Sequence, residues 1–240
     1  MLKPTTSPNA DRGTRRRLRT RARLIDAARR LIAQKAIEAT PIAEITEAAD
    51  VAIGSFYNHF ESKEALVEAV VADTMEKHGA DVDRATAGMA DPAEVLAASL
   101  RLTVRKVDND PIWGWFVVRT NSMIPGLRES LGRRLERDLR RGFRAGRFAA
   151  YNEKTIRAAI GGAVVGVMQS RLLGDVPADA DLHLAKEVLC MLGLRPEEAT
   201  EIANRPLPEE VVPQGGVSRS RRKPQPKKTR ARSVIPARRR

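Results

Sequence analysis

Residues 41–60 constrain the fold more than any other stretch, because two short helical patterns are separated there by a break at Asp50-Val51. On a helical wheel, at about 100° per residue, the second pattern divides into two sides. The apolar side carries Ile53, Phe56 and Phe60, and the opposite side carries Gly54, Ser55 and Asn58. A short helix with an apolar anchor and a small, polar outer side is typical of one that enters a DNA groove. The alternative is an ordinary solvated helix in a bundle.

Composition and periodicity predict an all-α chain. Hydrophobic residues make up 42% and aromatic residues only 4%, so Ala, Leu, Ile and Val must form the core. No strand pattern and no internal repeat is visible, whereas Thr40-Pro41 and Asp91-Pro92 are typical helix starts. We expect a disordered arm at 1–14, a helix-turn-helix domain at 15–78, a larger helical domain at 79–205 and a disordered basic tail at 206–240.

The charge of +13 is concentrated at the two ends of the chain. Residues 213–240 carry eleven Lys or Arg and no acidic residue, and residues 1–23 contribute a net +7, which leaves −5 for residues 24–212. Basic end segments suit a polyanion, of which nucleic acid is the commonest. The alternative is a solubilising tail without a partner.

Targeting signals and cysteine usage favour a cytoplasmic protein. The start of the chain has no apolar stretch of signal-peptide length. The longest apolar run, 158–168, is shorter than the roughly 20 residues that span a bilayer. The single cysteine, Cys190, lies in an apolar stretch and excludes an internal disulfide framework. We therefore expect no membrane association.

The segment from Thr40 to Leu66 resembles the DNA-binding segment of the tetracycline-repressor-like (TetR) regulators. The resemblance rests on Ala-Thr before the second helix, on Gly-Ser-Phe-Tyr-x-His-Phe at 54–60 and on Ser-Lys-Glu-Ala-Leu at 62–66. It implies major-groove contacts from Ile53, Gly54, Ser55 and Asn58, and phosphate contacts from Thr40, Tyr57, His59 and Lys63.

Three positions depart from the pattern of that family. Asp50 replaces the usual turn glycine, although Asp tolerates a left-handed conformation better than most residues. Ala52 replaces a common capping serine, which predicts a weaker helix start. The wheel places Ile53 on the core side, so this residue either contacts a thymine methyl group or packs in the core.

The larger half contains no recognisable catalytic or metal-binding constellation, and we expect neither an enzyme nor a cofactor. The resemblance implies a pocket for a small effector among its helices. Candidate pocket residues are Arg101, Trp113, Trp115, Phe116, Arg119 and Gln169. Few acidic residues lie near them in sequence, which favours a hydrophobic or anionic ligand. Plain core packing of these aromatic residues is the alternative.

The same resemblance implies dimerisation through the last two long helices. Apolar stripes there supply the candidate interface residues Ile156, Ile160, Val164, Val167, Leu184, Val188 and Met191. The alternative is that these stripes form only the internal core.

Together these features predict a homodimeric repressor that binds a pseudo-palindromic double-stranded operator and is released by a small effector. The rival hypothesis is an architectural, nucleoid-type protein with little sequence preference. A discrete footprint at moderate salt would favour the repressor. Deleting 213–240 should flatten the salt dependence of binding without changing operator preference.

Overall fold

Helices form all of the regular secondary structure in the residues that the computed structural model describes, 8–35, 37–120, 125–149 and 152–208; for 8–11 and 125–131 only the backbone is described. This confirms the predicted all-α class. The ten helices are α1 (Pro8–Gln34), α2 (Ile42–Ala48), α3 (Ile53–Phe56), α4 (Lys63–Thr86), α5 (Pro92–Asn109), α6 (Pro111–Thr120), α7 (Pro125–Arg144), α8 (Glu153–Leu173), α9 (Ala180–Met191) and α10 (Pro196–Ala203). The predicted arm up to residue 7 and the tail from residue 209 lie outside the described residues.

Helix α1 begins at Pro8, seven residues before the predicted start. The helical periodicity of the sequence starts with Leu18, and the residues before Arg15 supply no large apolar residue at helical spacing, so periodicity gave no sign of the first seven residues. Every residue from Arg12 to Arg19 is exposed. Arginine is a good helix former, so the helix does not need a buried face over this stretch.

The N-terminal helices share a core of large apolar side chains. Leu24 and Ile32 of α1, Ile45 of α2, Phe56 of α3 and Leu66 of α4 are all fully or almost fully buried. The apolar sides of these helices therefore face one another, and α2 and α3 are held against the longer α1 and α4.

The second half of the chain is a helical bundle that shares α4 with the first. Helix α6 packs extensively on α1, α5 packs on α9, and α9 packs on α10. Arg101 and Arg105 of α5 both donate to the buried carboxylate of Asp181, at 3.2 and 2.8 Å, which links α5 to the start of α9. Arg101 is therefore held inside the bundle.

Helix α8 is the one helix among the described residues that is long and apolar enough to cross a membrane, by length and composition alone. Its 21 residues exceed the 11-residue run on which the sequence argument relied. In the structure α8 packs against α5, α6, α7 and α9 of the same chain.

The inner side of α8 corrects the predicted dimer contacts. Ile156, Ile160 and Val164 are buried in the chain's own core, as are Leu184 and Val188 of α9. The apolar stripe of an amphipathic helix faces its own bundle, which leaves small residues outside. Val167 is half-buried and Met191 is exposed. The exposed outer stripe of α8 includes Ala159, Gly162, Ala163, Gly166, Gln169 and Leu173, of which Gly162 also lines a cavity in the bundle.

Candidate functional sites

The turn between α2 and α3 has the conformation that its sequence predicted. Asp50 has φ of +50°, the one non-glycine residue with positive φ in the described chain. Arg23 of α1 donates to the Asp50 carbonyl oxygen at 3.0 Å and to its carboxylate at 2.7 Å. These bonds fix the turn against α1, and the turn fixes the angle at which α3 leaves it.

Helix α3 and the turn that follows it, residues 53–60, are called the reader below. The helix ends at Phe56, four residues earlier than expected, and the His59 amide bonds to the Phe56 carbonyl in a tighter turn. Phe56 and Phe60 are buried, as predicted, with ring centroids 5.8 Å apart. These two rings anchor the reader in the core.

The outer side of the reader is exposed. Ile53 is 55% exposed and Tyr57 is 61% exposed, and Gly54 and Asn58 are exposed as well. The exposure of Ile53 excludes the core-packing alternative, because Ile53 only begins the helix and Phe56, at its end, is the buried residue. Ile53 thus presents an apolar surface of the kind that contacts a thymine methyl group, beside the Asn58 amide and the Tyr57 hydroxyl, which are of the kind that bond base edges and phosphates.

His59 and Ser55 are half-buried at the side of the reader nearest α1. Burial lowers the pKa of His59, and the guanidinium groups of Arg17 and Arg21 lower it further. The ring is therefore neutral at pH 7. Its Nδ1 atom is buried without a hydrogen-bond partner among the described residues.

The start of α4 is capped, because the Ser62 hydroxyl accepts a hydrogen bond from the Ala65 amide at 3.1 Å. The Lys63 ammonium donates to the Ile37 carbonyl at 3.1 Å, which holds it near the α1–α2 loop. Thr40 is buried before α2. Of the predicted phosphate contacts, Tyr57 reaches solvent most freely, whereas Thr40 has little exposed surface.

A cavity of about 590 Å³ lies between α4, α5, α7 and α8. Most of its wall is apolar, from Leu96 and Leu100 of α5 to Val164, Val165 and Met168 of α8. Its polar groups are the side chains of His78, Asp83, Ser99, Thr103, Arg134, Asp138 and Arg157. An apolar cavity with a few convergent polar groups is the usual form of a small-molecule site.

Two arginines of α7 connect the polar part of the cavity to α4. Arg134 donates to Asp83 at 3.0 Å and to Glu76 at 2.9 Å. Arg137 donates to Asp83 at 2.7 Å and to Asp138 at 2.9 Å. The Arg134 guanidinium lies directly over Gly79, where any Cβ atom would overlap it. The glycine thus permits the close contact of α7 with α4.

The two cavity carboxylates differ in their electrostatics. Burial raises the pKa of Asp83, but hydrogen bonds from Arg137 and Arg134 outweigh it and leave that pKa below its ordinary value. Burial raises the pKa of Asp138, and the single bond from Arg137 does not offset it. Asp138 is therefore the carboxylate with most to gain from another donor.

His78 is buried between the cavity and α6. Its Nε2 atom lies 3.0 Å from the Thr103 hydroxyl, and its ring centroid lies 4.8 Å from that of Trp113. Burial lowers the pKa of His78 to about 3, with smaller contributions from Lys106 and Arg134. The ring is neutral throughout the physiological range.

The six predicted pocket residues lie elsewhere. Trp113 and Phe116 are buried in the core, and Trp115 is half-buried with Arg119 stacked 5.4 Å from its ring centroid. Gln169 is on the outer side of α8. Of the six residues, Trp113 lies nearest to the cavity, because its ring packs against the cavity residue His78. Arg134 and Asp138 belong to a segment whose sequence is typical of a solvated amphipathic helix. No sequence signal identified Asp83 and Glu76 of α4 as the partners of Arg134.

A helix-turn-helix unit with an exposed reader, joined by one long helix to a bundle with a cavity, defines the architecture of a one-component transcriptional regulator. Residues 24–70 match the profile described as bacterial regulatory proteins, tetR family. Residues 91–205 match the profile described as tetracyclin repressor-like, C-terminal domain. The chain belongs to the TetR family of transcriptional regulators.

Individual relatives agree with this assignment. The crystal structure of RolR in complex with resorcinol is 39% identical, with a TM-score of 0.67, and the match covers 82% of this chain and 99% of that one. An uncharacterized HTH-type transcriptional regulator of Mycobacterium tuberculosis is 35% identical over 95 residues, which is 39% of this chain and 47% of that protein. The repressor KstR2 of Rhodococcus jostii is 38% identical over 66 residues, 28% of this chain and 32% of that protein. The chain thus matches less than half the length of these two curated relatives.

The family is one of regulators and not of enzymes. Among the residues whose side chains are described, no three His, Cys, Asp or Glu are grouped so that they could hold a metal ion.

Proposed function

We propose that the protein is a dimeric, cytoplasmic repressor that binds a pseudo-palindromic operator through its reader and leaves it when a small hydroxylated aromatic compound enters the cavity. The observation that carries this proposal is the continuity of α4. The helix starts beside the reader at Lys63 and reaches the cavity at His78, Gly79 and Asp83. A ligand that moves its second half therefore moves the end that supports the reader.

The chemistry of the cavity supports a neutral hydroxylated ring as the effector. The carboxylates of Asp83 and Asp138 accept hydrogen bonds from hydroxyl groups, and the apolar wall suits an aromatic ring. The two carboxylates share the cavity wall with Arg134 and Arg157, so the charges there are balanced and favour a neutral ligand over an anionic one. The relative RolR has been crystallised with resorcinol, a ligand of this class.

The outer stripe of α8 supports dimerisation. Gly162 and Gly166 have open space around them, and Leu173 is 56% exposed. A second copy would cover these small residues by close helix contact. Ala163→Arg with Gly166→Arg, neither of which lines the cavity, should give a monomer in sedimentation velocity, whereas Gly88→Arg, at another open glycine, should leave a dimer. A monomeric wild-type protein would contradict this part of the proposal.

The DNA-binding part is tested by footprinting the full-length protein on genomic fragments at moderate salt. A discrete protected palindrome is expected, and Asn58→Ala should weaken binding to it by roughly 1–3 kcal/mol, as expected when one base contact is removed. Uniform protection without a boundary would contradict an operator-specific repressor and favour the architectural alternative.

The effector part is tested with resorcinol as the probe. Resorcinol should release the footprinted duplex and raise the thermal midpoint of the wild-type protein, whereas benzoate should do neither. Asp138→Asn should weaken the response, and Asp73→Asn, which removes an α4 carboxylate outside the cavity, should not. Release by benzoate alone would show that the ligand class is wrong.

A further inference from the structure

A second polar surface lies beside the reader. A concavity of about 550 Å³ separates the first half of α1 from the reader and is lined by Gly13, Arg16, Arg17, Thr20, Ser55, Asn58 and His59. The four α1 residues follow one another at intervals of three, one and three, so they share one face of the helix. The same concavity therefore joins base-facing reader residues to arginines of α1.

Three arginines hold this part of α1 in place against the reader. Arg17 donates to the Asn58 carbonyl at 3.3 Å, and the Arg21 guanidinium lies 5.0 Å from the centroid of the Phe60 ring. Arg23 holds the turn at Asp50. The first half of α1 and the reader consequently form one unit.

Three further arginines of this half, Arg12, Arg16 and Arg19, have no acidic residue three or four positions away, where an ion pair along the helix would form. No acidic residue occurs between Arg12 and Arg23 in the sequence. Arg12, Arg16 and Arg19 fall within roughly 60° on a helical wheel. All three are exposed, and their guanidinium groups make no ion pair with the described side chains. Their charge is therefore available to a polyanion.

We propose that this arginine face of α1, defined by Arg12, Arg16 and Arg19, binds the DNA sugar-phosphate backbone at the edge of the groove that the reader enters. The inference rests on the proposed function, because it requires DNA on Ser55 and Asn58. Arg16 belongs both to the lining of the concavity and to this face, so a strand that borders the groove and passes the concavity meets its guanidinium group there. Arg12 and Arg19 extend the same contact along the adjoining exposed face of α1. Such contacts fix position on the duplex and carry no base information. The face lies before residue 24, where the match to the family profile begins.

The test compares two full-length double variants with equal charge loss. Arg16→Gln with Arg19→Gln alters the arginine face while keeping good helix formers. Arg144→Gln with Arg195→Gln removes two exposed arginines of the second half of the chain. Anisotropy titrations use the footprinted duplex and a scrambled duplex between about 50 and 200 mM salt. Circular dichroism melts verify that both variants keep the wild-type midpoint.

The slope of log K against log salt should fall by about 0.9 for each phosphate that the protein no longer neutralises, hence by about 3 to 4 for four arginines in a dimer. Affinity for both duplexes should fall by the same factor, and the Arg144/Arg195 variant should keep the wild-type slope. Equal slopes for the two variants would overturn the inference. So would a weakening confined to the footprinted duplex, which would indicate base reading. If wild-type protein does not prefer the footprinted duplex, the proposed function fails, and the slope on scrambled DNA still decides the role of α1.

Discussion

The outer side chains of the reader extend into solvent, whereas the charged side chains of the cavity are held by one another. Gly54, Tyr57 and Asn58 are exposed and supported from beneath by Phe56 and Phe60. In the cavity, Asp83 receives two arginines, and Arg134 itself bridges two carboxylates of α4.

This difference fits the different roles that we propose for the two regions. The reader needs only a fixed backbone, since the proposed DNA partner meets it from outside. In the proposed mechanism a ligand replaces bonds in the cavity that join α7 to α4. By competing for Arg134 or Asp138 it would alter the contact between these helices, and α4 would carry the change to the reader as a rigid element.

The largest expected effect is a difference in stability between a substitution at the buried anchor of the reader and one at its exposed surface. Phe56→Ala should lower the free energy of unfolding by about 3–5 kcal/mol, because it leaves a cavity in the N-terminal core. Ile53→Ala should change it by less than about 0.5 kcal/mol, since that side chain is mostly exposed. Urea denaturation measures both. A large destabilisation by Ile53→Ala would show that the side chain packs after all.

The next effect separates ligand binding from DNA binding. Arg134→Ala removes one partner of Asp83 but leaves Arg137, so the bundle should fold while resorcinol affinity falls by roughly 10- to 100-fold, as for removal of a charged hydrogen bond. Affinity for the footprinted duplex should stay unchanged. Calorimetry measures the resorcinol affinity, and anisotropy measures the affinity for the footprinted duplex. The control is Arg84→Ala, which removes an α4 arginine paired outside the cavity. An equal fall in resorcinol affinity for Arg84→Ala would show that Arg134 has no specific role in ligand binding.

The two regions also differ in what the sequence reveals about them. The reader lies within one continuous segment, so the Ser62 cap, the left-handed Asp50 and the buried Phe56 and Phe60 were all predictable from local pattern and chemistry. Ile53 was misplaced on the wheel because α3 is a single turn in the structure, and a regular helix overstates how far its anchor extends.

The cavity was not predictable in the same way, because its residues come from four helices. Asp83 and Arg134 are 51 positions apart, and each sits among charged neighbours that look like a solvated surface. The effector pocket was predicted at the aromatic cluster around Trp113 instead, although Trp113 and Phe116 are buried because they pack in the core. The apolar residues of α8 were likewise assigned to a dimer interface, since periodicity shows that a stripe is buried and not what covers it.

A pH experiment sharpens the description of the cavity. With a pKa of about 3 in the folded state and about 6.5 when unfolded, His78 binds its proton only on unfolding between these values. Its contribution to stability is therefore complete above pH 6.5 and is lost as pH falls toward 3. At pH 5 it should cost the wild-type protein about 2 kcal/mol relative to pH 7. Between pH 7 and pH 5 the free energy of unfolding of His78→Gln should fall by about 2 kcal/mol less than that of the wild-type protein, as measured by urea denaturation. Equal losses for the two proteins would show that His78 is not buried as a neutral ring.

The smallest effect tests how rigidly the reader is held at its turn. Asp50 has positive φ, a conformation that costs an ordinary L residue about 1–2 kcal/mol and glycine almost nothing. Its ion pair with Arg23 is exposed and should contribute little. Asp50→Ala and Asp50→Gly both remove the carboxylate, so their difference isolates the backbone. We expect the glycine variant to be the more stable by about 1 kcal/mol in thermal unfolding, with Asp50→Asn close to wild type. Equal stability of the alanine and glycine variants would mean that the turn relaxes when Arg23 is released, and that the angle of the reader depends on this contact more than on the left-handed residue.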